Sequence, residues 1–238
     1  MTQLRNLVTF VNLPTSWEGL DPQHDLYLNT ITKLVDANAN SLHTLTIHGD
    51  ALWATPLSSL RSLTLIDARY FPSLAPQLAL GQLTSLRLYL LDLTTPSLLL
   101  AAAPTACPHL VDLTLIYDIE GEAVNDDPMK AISEFLKNKS RLRRLHVVFY
   151  SMNLVCDRPL LNVLKDLPAL EVLGMELAQY QLSKADLQMY DDSLPIGLTS
   201  LLLYVDFGEM EVTRADFAAM VRTHIPWLAL CLLMINFD

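Results

Sequence analysis

The segments Leu142-Arg143-Arg144-Leu145-His146-Val147 and Leu170-Glu171-Val172-Leu173-Gly174-Met175 carry one pattern, Leu-x-x-Leu-x-apolar, one repeat apart. Outward from this pair the same spacing recurs at Leu42/Leu45/Ile47, Leu60/Leu63/Leu65, Leu83/Leu86/Leu88, Leu110/Leu113/Leu115 and Leu198/Leu201/Leu203. The chain end offers Trp227/Leu230/Leu232 or, in a later register, Leu230/Leu233/Ile235. At the start, Leu4-Arg5-Asn6-Leu7-Val8-Thr9-Phe10 reads as a degenerate first copy. With first residues at 42, 60, 83, 110, 142, 170, 198 and 227, the repeat lengthens from roughly 20 to roughly 30 residues. Chance does not produce this many copies, even in a leucine-rich chain.

The spacing is a recipe for burial. The first leucine turns into a core, and the Leu-x-Leu after it alternates with period 2, which makes a short strand with one buried face. Between strands stand helix start signals. Asp21-Pro22 opens one helix, Asp126-Asp127-Pro128 another that runs to about Lys137, and Asp157 with Pro159 a third. Ser183-x-x-Asp186 and Thr213-x-x-Asp216 have the form of capping boxes. A strand–helix unit of this size cannot cover its own apolar faces, so neighbouring units stack into a solenoid of parallel strands.

Composition agrees. Of 238 residues, 51% are hydrophobic and 18% charged, against about 25% charged in ordinary globular chains. Leucine makes up about one residue in five, roughly double ordinary usage. So apolar a chain is not intrinsically disordered. Its longest apolar stretch, 225–237, is shorter than the ~18–20 residues that cross a bilayer, so no membrane span is expected. The net charge of −10 disfavours binding to a phosphate backbone, so no nucleic-acid partner is expected. No basic n-region leads into an apolar core near Met1, and Cys107, Cys156 and Cys231 are odd in number and far apart. Reduced thiols in an intracellular protein, cytoplasmic or nuclear, follow as the expectation.

These residues resemble the leucine-rich repeat superfamily in its α/β horseshoe form, from about residue 4 to residue 236. The longer spacing from Leu83 onward is similar to ribonuclease-inhibitor-like repeats, and the irregular lengths most resemble the repeat domains of fungal F-box proteins. The resemblance implies a single domain, 1–238, of about eight to nine irregular repeats, with strand starts near 4, 42, 60, 83, 110, 142, 170, 198 and 227. It implies strands on the concave face and helices or short turns on the convex one. It also implies a protein-interaction module, with substrate recognition for a cullin-type ubiquitin ligase as its narrower form. Two departures stand out. The ninth repeat position, normally Asn or Cys, reads Asp50, Ala68, Leu91, Asp118, Tyr150, Ala178 and Asp206, so no regular side-chain ladder is expected. Asn12-Leu13-Pro14 lies too near the first strand to begin an F-box.

In that fold the concave face carries repeat positions three, five and seven. Strands about 4.8 Å apart bring like positions into contact. Arg87, Asp112 and Arg144 should then form a charged line across three strands, with His146 diagonal to Glu176 beside the space left by Gly174. Tyr89 and Tyr204 flank the zone, and Ile66, Ile116 and Val148 supply apolar ground along one edge. Exposed Arg and Tyr are the side chains that anchor protein interfaces, so Arg87, Tyr89, Asp112, Arg144, His146, Glu176 and Tyr204 are the candidate partner-binding residues. The plainer alternative is a surface ion pair between Asp112 and Arg144, worth about 0–1 kcal/mol. A run of acids from Asp118 to Asp127 is followed by Lys137, Lys139, Arg141, Arg143 and Arg144. Helix electrostatics accounts for Asp126, Asp127, Lys137 and Lys139 and leaves Arg143 and Arg144 over.

Catalysis has little support. No phosphate-binding glycine loop, nucleophile elbow or HExxH sequence is present. His43 and His48 fall on opposite faces of a strand. Asp67, Asp118, Glu120, Glu176 and Asp206 gather where strands end, and a metal-dependent hydrolase on that acidic rim is the remote alternative. The expectation is no catalytic residue, no metal ligand and no cofactor. The apolar tail, with Trp227, Leu228, Leu230, Leu232, Leu233, Ile235 and Phe237, lacks a polar capping repeat and supplies a second expectation, self-association through that end.

Overall fold

The structure is a computed structural model that describes residues 8–11, 23–48, 55–66, 81–90, 100, 103–118, 128–150, 158–176, 183–204, 212–224 and 230–234. Its frame is a nine-stranded parallel sheet whose spatial order is the chain order. The strands are β1 (Thr9–Val11), β2 (Thr44–His48), β3 (Ser62–Ile66), β4 (Ser85–Leu90), β5 (Asp112–Asp118), β6 (Arg144–Tyr150), β7 (Val172–Glu176), β8 (Ser200–Tyr204) and β9 (Leu230–Met234). Five helices are described between them: α1 (Gln23–Ala37), α2 (Pro128–Leu136), α3 (Arg158–Leu164), α4 (Lys184–Ser193) and α5 (Arg214–His224). A parallel sheet without crossovers, interleaved with helices, is the α/β solenoid of leucine-rich-repeat architecture.

Register follows the leucines. Leu45, Leu63, Leu86, Leu113, Leu145, Leu173 and Leu201 are mutual partners across successive strands. Every one of them is buried, and so are Ile47, Leu65, Leu88, Leu115, Val147, Met175 and Leu203 two residues on. A shift of one residue would turn each set out to solvent, so burial itself fixes the pairing.

A second ladder joins the turns just before the strands. The carbonyl of repeat position two accepts two N–H groups from the next turn: His43 from Arg61 and Ser62, Arg61 from Thr84 and Ser85, Thr84 from Val111 and Asp112. The series continues at Val111, Arg143 and Glu171. Thr84 and Thr199 add their hydroxyls to the same acceptors. The ninth-position side chains, where a ladder was not expected, lie outside the described residues.

The helix signals are placed as the sequence implies. α4 begins at a capping box in which Ser183 Oγ accepts from Asp186 N and Asp186 Oδ2 accepts from Ser183 N. Thr213 and Asp216 repeat the arrangement before α5. Leu187, Tyr190, Phe217, Met220 and Val221 turn inward and close the core under the sheet.

The two ends differ from the sequence reading. Thr9 pairs with Thr44 and Phe10 with Leu45, so the first copy begins at Leu7, three residues later than Leu4. At the other end Leu201 pairs with Cys231 and Leu203 with Leu233, so the last copy reads Leu228/Cys231/Leu233 and lies between the two registers offered. Both corrections share one cause: where apolar residues occupy both alternations of a strand, period 2 no longer distinguishes the faces.

Candidate concave binding face

The concave positions of β4, β5 and β6 are filled by the charged line that repeat spacing predicts. Asp112 stands in register between Ser85 and Arg144, and Arg87 between Thr64 and Thr114. Arg87 therefore reaches diagonally across the sheet, and its Nη2 donates to Asp112 Oδ2 at 3.1 Å. Arg144 Nη1 lies 3.7 Å from the same oxygen. The two guanidinium side chains remain open to solvent, 46% and 60% exposed, while the carboxylate side chain they flank is 14% exposed. Solvent thus meets two cations tethered by one shared anion. The cluster carries one net positive charge on a chain of net charge −10.

His146 corrects one expectation. Its register partner is Gly174, and its ring occupies the volume that a β-carbon at 174 would fill. The space beside Gly174 is therefore taken by imidazole, because a glycine in a parallel strand leaves a depression that the neighbouring ring settles into. Burial lowers the His146 pKa from its ordinary 6.5, with Asp112 acting weakly in the opposite direction. The ring is neutral at pH 7. The side chain of Glu176, the diagonal partner proposed for it, lies outside the described residues, as does that of Tyr204.

The apolar ground is narrower than the sequence suggests. Ile66, Tyr89 and Ile116 are half-buried, in register with one another. Val148, beside Ile116, is only 1% exposed yet stands apart from the core cluster. A short side chain in the middle of a concave sheet is shielded by its neighbours at about 4.8 Å spacing.

The remaining cations divide. Arg143 pairs with Glu171 at 3.6 Å, and Lys137 with Glu134 on α2. Lys139 differs from the solvated helix-end cation it was expected to be. It is 1% exposed, its Nζ donates to Pro104 O at 2.9 Å, and it sits 4.0 Å from the Phe135 ring centre. Repeat spacing explains where it is, though charge patterning missed it. Lys139 lies three residues before its leucine, a position held by Ala39, Leu57, Cys107 and Leu167 in other turns, all buried. An ammonium thus interrupts an apolar column next to Cys107, which is not in a disulfide. Burial lowers the Lys139 pKa to about 8 and raises that of Cys107 to about 11, each partly opposed by the other's charge.

Other sites carry less. Among the described residues no three His, Cys, Asp or Glu side chains could hold a metal ion. Of the acidic rim, Asp67, Glu120 and Asp206, and the side chains of Asp118 and Glu176, lie outside the described residues. His43 bonds locally to Ser41 O through Nδ1 at 2.8 Å, and the His48 side chain lies outside the described residues. A shallow cleft between α4 and α5 is lined by one cation, Lys184, and two carboxylates, Asp191 and Asp216. Among the described residues no helix is long and apolar enough to cross a membrane.

No protein-family model and no curated protein matches the sequence. Among solved structures, the chain is similar to the leucine-rich repeat-containing protein LegL7 from Legionella pneumophila. The likeness is 13% in identity, with a TM-score of 0.45, over 85% of this chain and 69% of that one.

Proposed function

We propose that this protein is a binding module that recognises another protein on the concave face of its solenoid and does no chemistry there. The observation that carries the reading is the Arg87–Asp112–Arg144 cluster. A continuous sheet holds it on three adjacent strands, with its guanidinium groups open to solvent. Rigid strands fix the cations at little entropic cost, and Tyr89 with Ile116 supplies apolar surface beside them. Tyr204 and Glu176 extend the proposed surface along β7 and β8. The whole chain, 1–238, serves as one interaction domain, and the buried Cys107 thiol, which is not in a disulfide, fits a reducing, intracellular setting, cytoplasmic or nuclear. The narrower form of the reading is substrate recognition in a cullin-type ubiquitin ligase, supported by the resemblance of the repeat pattern to F-box proteins. Co-purification of ligase subunits with the full chain is its measure.

The direct test compares wild type with the Arg87→Ala/Arg144→Glu double variant. A partner is captured from cell extract, purified and titrated against both. Loss of binding by the variant supports the concave site, and equal affinity moves it elsewhere.

One observation favours a second role. β9 ends the sheet order, its register pairs Cys231 with Leu201 and Leu233 with Leu203, and its sequence, Leu230-Cys231-Leu232-Leu233-Met234, is apolar at every position. An apolar edge strand invites pairing. Self-association through β9 and the apolar residues that flank it in sequence, Trp227, Leu228, Ile235 and Phe237, is read by light scattering on the eluting protein. A concentration-independent monomer excludes it.

A further inference from the structure

We infer that the concave cluster is built to receive a side-chain carboxylate, Asp or Glu, from an acidic segment of the partner, with an apolar partner residue seated beside it. The inference rests on the binding reading above and adds the partner's chemistry. Its basis is the charge balance of the cluster. Arg87 and Arg144 bring two positive charges and Asp112 one negative, while the adjacent Arg143 is matched by Glu171. His146 is neutral at pH 7, since burial holds its pKa below 6.5. One uncompensated positive charge remains, and a monoanion neutralises it. A phosphate dianion would overshoot, and Asp112 in the centre of the cluster would repel the excess.

Geometry makes the same point. Arg87 commits one nitrogen to Asp112 Oδ2, and Arg144, at 3.7 Å, lies beyond hydrogen-bond range of it. Each guanidinium has five N–H donors, so most remain for an incoming oxygen. Planar forks of this kind match a carboxylate with two parallel bonds. Asp112 draws both arms toward one point before any partner arrives, which lowers the ordering cost of binding.

The surroundings define what accompanies the carboxylate. Along repeat position three, the strands leading to Asp112 offer Thr9, Thr44, Ser62 and Ser85 in register, hydroxyls able to bond the partner's backbone. Four residues further along the strands, Ile66, Tyr89 and Ile116 form the half-buried apolar row. At about 3.3 Å per residue, position seven lies ~7 Å from position five and ~13 Å from position three. An apolar side chain one or two turns of a helix, or two to four residues of a strand, from the acid would reach it.

The test uses the intact protein on an array of immobilised twelve-residue peptides with systematically varied central Glu, Gln, Lys and phosphoserine. Three forms are compared: wild type, Arg87→Ala/Arg144→Glu, and Asp112→Asn, with unchanged circular dichroism as the folding control. Wild type is expected to favour Glu over Gln by on the order of tenfold, with an apolar residue enriched nearby, and the double variant to lose that preference. Asp112→Asn raises the cluster to two net charges and is expected to shift preference toward phosphoserine. Peptides bound without regard to Glu, or a wild-type preference for phosphoserine, overturn the carboxylate inference and leave the binding reading standing. If no peptide is retained and the captured partner also binds the double variant equally, both fail.

Discussion

The imidazole of His146 lies on Gly174, in the volume that any larger residue's β-carbon would need. Gly174 thereby decides where a concave side chain points and how dry it is. Gly174→Ala is expected to lift the ring off β7, costing about 1–3 kcal/mol from overpacking. The His146 pKa should move back toward 6.5, because burial is what lowers it. Imidazole titration by NMR and denaturant midpoints provide the readouts. In a His146→Ala background the same glycine substitution should cost measurably less, a coupling of about 0.5–3 kcal/mol. Equal cost in both backgrounds would dismiss the contact.

Lys139 invites the opposite experiment. Its position is apolar in the turns that carry Leu57 and Leu167, and its ammonium is satisfied by one carbonyl and one aromatic face. Buried charges are often no more stabilising than apolar groups of similar volume. Lys139→Met is expected to raise stability at pH 7 by about 1 kcal/mol, seen as a higher urea midpoint with unchanged slope. A loss of more than about 2 kcal/mol would show that the bond to Pro104 is indispensable.

The leucine spacing makes the sheet, its order and its central registers legible, because each inward residue is one that a slip would expose. It also sets Asp112 beside Arg144, which alignment alone fixes, and brings Arg87, one pleat further along the neighbouring strand, within diagonal reach of the same carboxylate. Legibility fails where that physics is silent. At Leu4 and at β9, apolar residues on both alternations hide the face. At Gly174, like-position counting shows a gap without showing which neighbour falls into it. At Lys139, charge and nearness to a helix end point to a solvated cation, whereas the repeat position, three residues before Leu142, points to the core.

The capping boxes permit a test of how the solenoid comes apart. Ser183→Ala and Thr213→Ala each remove a side chain that accepts from a helix N–H, at a cost of about 1 kcal/mol. Because each turn contacts only its neighbours, damage should stay local. In Thr213→Ala, amide exchange is expected to quicken in α5 and β9 and to stay unchanged in β4 and β5. Uniform acceleration across all nine strands would show that the array unfolds as one unit.

Burial of titratable groups gives the protein a stability profile with a defined shape. Lys139 has a folded pKa of about 8 against 10.5, so between those values the unfolded chain binds more protons and stability rises with pH. Cys107 goes from 9.0 to about 11; there the folded chain holds the extra proton and stability falls as pH rises. Tyr117, pushed up by complete burial, adds to that fall above its ordinary 10.0. Stability should therefore climb from pH 8 to 9, where the lysine acts alone, level off as the thiol opposes it, and drop above pH 10. On the acid side, the lowered His146 pKa removes stability as pH falls below 6.5. Urea midpoints across pH 5–11 trace the curve. Lys139→Met should abolish the rise between pH 8 and 9, and Cys107→Ala should extend it toward pH 10; a rise that survives in Lys139→Met would assign it to another group.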